Sequence, residues 1–206
     1  VADNKTLTYS GSAISLGANM LTLSGGGSLV SGGLTLNNAD SKLLLNSITL
    51  DNVSTSANSL GIDVDNNSTI TSLSVANITP VSIASGKSLS GAITVTAGSL
   101  KLNETGTLAS SVSMSGGTLD ADETSTVSGA LTQTANITID VADNKTLTYS
   151  GSAISLGANT LTLSGGGSLV SGVVTLNNAS SKLLLNSITV DNVSTTSDSL
   201  GLDVDN

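Results

Sequence analysis

The sequence predicts an all-β chain: a right-handed parallel β-helix (β-solenoid) of about ten coils, each with three short strands. Three observations carry that prediction. Leu, Ile, Val and Ala recur singly or in alternation among Ser, Thr, Gly and Asn, the period of a strand with turn residues between. Residues 1–66 recur without a gap as 141–206, with 57 of 66 positions identical. Inside that 140-residue unit a shorter frame of 19 to 20 residues repeats.

The alternation belongs to a folded chain. Hydrophobic residues make up 38% and charged residues only 10%, whereas disordered chains combine low hydrophobicity with high charge. The single proline, Pro80, leaves the strand pattern almost unbroken. No window sustains the i, i+3, i+4 spacing of a helix.

The short frame is clearest where 92–110 is laid over 111–129. Ile93 and Val95 fall on Val112 and Met114, Leu100 and Leu102 on Leu119 and Ala121, and Leu108 on Val127. Over 13–31 the same frame selects Ile14 and Leu16, then Leu21 and Leu23, then Leu29. Over 72–91, with one extra residue, it selects Leu73 and Val75, Val81 and Ile83, and Leu89. These residues are expected to point inward and stack, coil on coil, at about 4.8 Å. Less regular turns begin near Gly32, Ser47 and Ala130, the middle one lengthened by the polar stretch 51–59. Parallel crossovers are almost always right-handed, hence the expected hand.

A lone coil buries too few aliphatics to offset the ordering of its backbone, so stability must be shared along the stack. Residues 1–140 form one seven-coil unit and 141–206 the start of the next, a continuous rod with no linker. No polar cap stands at either end, so the chain is expected to be a window on a longer rod.

Composition excludes several function classes. With no Cys and no His there is no thiol nucleophile, no Ser-His pair, no disulfide and no usual zinc, haem or iron–sulfur site. All six basic residues are Lys, and fifteen acids leave a net charge of −9, which argues against nucleic acid as a partner. No stretch nears the roughly 18–20 apolar residues of a membrane span, and no charged leader precedes an apolar core. The expectation is a soluble chain without a targeting segment.

The 19-residue coils, the Thr-Leu-Thr, Ser-Gly-Gly-Gly and Ala-Gly-Ser-Leu-Lys-Leu phrasing, and the lack of Cys resemble the repeat regions of giant bacterial surface proteins. The similarity is to filamentous-haemagglutinin-like adhesins and autotransporter passenger domains, and it spans essentially the whole chain. It implies a right-handed parallel β-helix in an extracellular, non-enzymatic stalk or filament. It carries over no functional residues.

Candidate sites are few. One outward column, in the middle of the first strand of each coil, reads Ser15, Thr35, Thr49, Ser74, Thr94, Ser113, Thr132 and Ser155. A regular hydroxyl ladder on a flat face is what ice or glycan binding would use, but Ser and Thr are also ordinary solvent-facing strand residues. A second column, after the second strand, reads Ser24, Asn46, Asp65, Ala84, Asn103, Asp122 and Asp140. Its plainest role is to satisfy backbone groups at corners and to hydrogen-bond along the stack. The rival is a Ca²⁺ site on Asp63 with Asp65, or on Asp120 with Asp122 and Glu123, since Ca²⁺ takes several oxygen ligands. Neither cluster matches the Gly-Gly-x-Gly-x-Asp nonapeptide, so no cofactor is expected.

Glycoside hydrolysis needs two carboxylates at a set separation, a demand that Asp120, Asp122 and Glu123 could meet. Against catalysis stand the absence of His, Arg and Trp and the presence of only Tyr9 and Tyr149 to hold sugars, one position in two copies. Asn-x-Ser/Thr triplets include those at Asn4, Asn52, Asn66, Asn67, Asn77, Asn103, Asn136, Asn144 and Asn192; glycosylation there depends on the producing cell.

The sequence therefore reads as the structural shaft of a secreted or cell-surface filament or giant repetitive adhesin. Its expected partners are copies of itself along the axis and, through other domains, a host or neighbouring cell surface or glycan. The alternative is a β-solenoid binding module acting through its Ser/Thr face.

Overall fold

A computed structural model describes residues 1–205 of the chain. Among the described residues it is all-β, and every paired strand is parallel to its neighbour. The chain winds into ten stacked coils with three faces, a β-solenoid. The first face carries strands such as Ile14–Ser15, Leu34–Leu36 and Ser111–Met114. Met20–Ser24, Ser99–Leu102 and Thr118–Ala121 lie on the second, and Thr6–Thr8, Thr107–Leu108 and Ser125–Val127 on the third. Counted from the third face, the coils span 6–24, 28–46, 49–66, 68–83, 88–102, 107–121, 125–141, 146–164, 168–186 and 189–205. Coil eight is thus the copy of coil one.

The expected stacking holds where the 19-residue frame is cleanest. Ile93 and Val95 lie opposite Val112 and Met114, Leu100 and Leu102 opposite Leu119 and Ala121, and Leu108 opposite Val127. All ten of these side chains are buried in one continuous core. Leu16 and Leu29 are buried too, while Ile14, Leu21 and Leu23, in the first coil, pack against the core only partly buried. Inward Leu, Ile and Val alternate with outward Ser, Thr and Lys because a pleated strand sends successive side chains to opposite faces.

Two parts of the frame are corrected. The polar stretch 51–59 lengthens nothing: the strand Thr49–Thr55 turns the corner from the third face to the first, with Val53 opposite Leu34 and Leu73. The frame missed it because Thr55, a polar residue buried at an inward position, breaks the alternation of apolar residues.

On the second face the register steps sideways. Val81 and Ile83 lie opposite Ile62 and Val64 in the coil below, but Thr79 and Val81 lie opposite Leu100 and Leu102 in the coil above. The strand Ile78–Ile83 thus has three inward residues where its neighbours have two. The strand Ile137–Val141 repeats the device: Ile139 and Val141 cover Leu119 and Ala121, and Ile137 and Ile139 lie under Leu161 and Leu163.

Candidate functional site

The outer faces hold the candidate hydroxyls and carboxylates. On the first face the hydroxyl ladder runs Ser15, Thr35, Ser54, Ser74, Thr94, Ser113 and Thr132, each opposite the next. It resumes as Ser155, Thr175 and Ser194. Thr49 is not on it; that residue stands on the third face opposite Ser28 and Thr69, and Ser54 takes its place. The hydroxyls of Thr35 and Ser54 are 3.2 Å apart and those of Thr175 and Ser194 3.4 Å, so neighbours bond along the stack. No charged residue lies in the first-face segments 13–17, 33–37, 52–56, 72–76, 92–96, 111–115, 130–134, 153–157, 173–177 or 192–196. A shallow depression of about 330 Å³ lies on this face, lined by Ala13, Gly33, Thr35, Asn52, Ser54 and Ser74.

The second column holds in pieces. Ser24 lies opposite Asn46, but Asn46 lies opposite Asn66, whose Nδ2 donates to Asn46 Oδ1 at 2.9 Å; Asp65 is the extra residue of a bulge and is exposed. The Ala84 N–H donates to the Val64 carbonyl, which keeps Ala84 above Asp65. Asn103 then slips one pleat, its N–H donating to the Val81 carbonyl. Asp122 follows Asn103, whereas Asp140 lies opposite Asp120 instead, and Ser164 Oγ donates to its Oδ1. Both slips occur at the register steps described above.

Four of the five calcium candidates lie beside lysines from adjacent coils. Lys42 Nζ is 2.6 Å from Asp63, Lys101 Nζ is 2.8 Å from Asp120 and 3.0 Å from Asp122, and Lys145 Nζ is 2.5 Å from Glu123. Lys182 repeats the Lys42 pairing with Asp203 at 3.1 Å. Among the described residues no three of His, Cys, Asp and Glu gather as metal ligands. Burial pushes the Asp120 carboxyl above its ordinary value, and the negative charge of Asp122 adds to that, while the Lys101 hydrogen bond opposes it. Lys101 is raised in turn, chiefly by its hydrogen bond to Asp120. Such an arrangement ties one coil to the next.

Tyr149 is buried, and its Oη accepts the Leu131 N–H at 2.9 Å, a structural role. Among the Asn-x-Ser/Thr asparagines, Asn4, Asn52, Asn67, Asn136, Asn144 and Asn192 are exposed.

The frame did not reveal the corner staples. The Asp51 carboxylate accepts the Ser31 N–H at 2.8 Å, and Ser41 Oγ, fully buried, donates to the Gly17 carbonyl at 2.6 Å. Asn37 Oδ1 accepts the Gly17 N–H at 2.8 Å. Their copies make the same bonds: Asp191 to Ser171 at 2.9 Å, Ser181 to Gly157 at 2.6 Å and Asn177 to Gly157 at 2.8 Å. Their one legible signal was that the same polar residues stand at the same corner in both copies. Comparison of the chain with protein-family models, with curated proteins and with solved structures finds no match.

Proposed function

We propose that the chain is the structural shaft of an extracellular filament or giant repetitive adhesin, and that its work is mechanical. The observation that supports this best is the continuity of the core and of the second- and third-face ladders from one copy into the next. The second-face strand Ile137–Val141 pairs with Thr160–Ser164, and the third-face strand Ser125–Val127 with Thr146–Tyr149. Every ion pair between side chains likewise joins adjacent coils among the described residues. Stacked coils supply length and stiffness, and a net charge of −9 keeps rods soluble and apart. The producing cell is a bacterium on this reading, and partners are copies along the axis.

Cryo-electron microscopy of the native material tests it. A shaft gives a thin filament with a layer spacing of about 4.8 Å and a superperiod of seven layers, about 34 Å. Compact particles without that superperiod would sink the proposal. One observation favours a second reading, a binding module for ice or a neutral glycan: the first face carries hydroxyls and no charge. A binding module would inhibit ice recrystallisation or be retained on a glycan array as the isolated 206-residue chain, and a shaft would do neither.

A further inference from the structure

The ten coils are not joined alike. Between coils seven and eight the second and third faces keep their ladders, but on the first face Leu131–Gln133 and Ile154–Ser155 form none. The first-face strands of coils eight, nine and ten make a separate three-stranded sheet. Two side chains stand in for the missing ladder. In the coil below, the Val112 N–H donates upward to the Ala130 carbonyl; the Leu131 N–H, one coil on, donates to Tyr149 Oη at 2.9 Å. Gln133, opposite Met114 in the inward column, donates from Nε2 to the Leu156 carbonyl at 2.9 Å. Its Oε1 is buried without a hydrogen-bond partner.

A backbone ladder spreads its load over several bonds held by the main chain. At this seam the load falls on two side-chain bonds, and an orphaned buried oxygen favours opening to water. The ladders on the other two faces stay intact and act as the pivot. We propose that this junction is a hinge: the rod bends by opening its first face between coils seven and eight, once in every 140-residue unit. The proposal rests on the shaft reading for its purpose, since a rod jointed at fixed intervals bends under lateral load without losing its core. Its geometry is independent of that reading.

Amide hydrogen exchange on the 206-residue chain tests it. Leu131 and Gln133 are expected to exchange about tenfold faster than Val112 and Met114, their equivalents one coil earlier, because the seam opens locally. Tyr149→Phe removes the acceptor of the Leu131 N–H and is expected to speed exchange at 131–133 further while Val112 stays protected, which reports that the chain has folded. Equal protection of Leu131 and Val112 in the parent chain would overturn the hinge. Filaments with a seven-layer superperiod together with equal protection would remove the hinge and leave the shaft standing. A fast seam in a chain that forms no filament would do the reverse.

Discussion

The carboxylate of Asp51 reaches back twenty residues to hold the backbone N–H of Ser31, one coil below, at 2.8 Å, and Asp191 holds Ser171 in the same way at 2.9 Å. Ser31 stands where the chain leaves the third face for the first, a corner that no ladder satisfies. Removing the acceptor strands a nearly buried donor, so Asp51→Ala is expected to cost about 1–2 kcal/mol. The urea midpoint measures this. Asp40→Ala is the control: Asp40 is exposed, and the second copy has Ser180 at its place, so a change within about 0.5 kcal/mol is expected. Equal effects of the two variants would show that the staple contributes nothing.

Two glycines separate backbone strain from steric collision. Gly91 has φ +121°, and a Cβ there would come within 1.8 Å of the Ile70 carbonyl oxygen in the coil below. Gly86 has φ +71° with no neighbour within 4 Å. Gly86→Ala is therefore expected to cost about 1 kcal/mol, the strain alone. Gly91→Ala must also push two coils apart and is expected to cost about 3 kcal/mol or more. Thermal unfolding of the two variants compares them; similar losses would mean that the spacing between coils yields more easily than the ladder suggests.

The fold was legible because alternation and repeat length are properties of the chain itself. Leu100 over Leu119 and Leu108 over Val127 follow from the 19-residue offset alone. What stayed hidden were places where a polar residue takes an inward position. Thr55 disguises the first-face strand of coil three and Thr79 the register step of coil four, so alternation alone puts Thr49 on the wrong face and Asn103 beside the wrong neighbour. Of the candidate groups, the hydroxyl ladder was legible apart from one member. The ion pairs were not, because Lys101 and Asp120 meet only through coil stacking.

The register step gives its own test. Thr79 is fully buried opposite Leu100, and its hydroxyl makes one long bond, 3.3 Å, to the Asn77 carbonyl. Thr79→Val exchanges a poorly satisfied hydroxyl for a methyl of the same shape and is expected to change stability by less than about 1 kcal/mol, in the stabilising direction. Val81→Thr, one pleat on, places a hydroxyl among Ile62 and Leu102 and is expected to cost about 1–3 kcal/mol. Urea midpoints rank the pair. A large loss from Thr79→Val would show that the hydroxyl specifies the step.

Asp120 and Lys101 fix a pH dependence whose sign is opposite to that of an ordinary ion pair. Burial raises the Asp120 carboxyl above 3.8, its value in the unfolded chain, so the folded state holds this proton more tightly. The ionised carboxylate is thus disfavoured by folding at neutral pH, and that penalty is relieved as pH falls through the folded pKa toward 3.8. Lys101, raised above 10.5, acts at the other end: its contribution is complete below 10.5 and is lost as pH rises through its folded value. Asp120→Asn removes the acidic titration and leaves Lys101 paired with Asp122 at 3.0 Å. Urea midpoints of parent and variant between neutral pH and pH about 4 isolate this junction, because the carboxylates outside the Asp120–Asp122 pair are common to both. The parent is expected to gain on Asp120→Asn as the solution is acidified. A parent that instead loses ground would mean that the Lys101 pairing outweighs burial at this site, and that the coil junction there is held by charge.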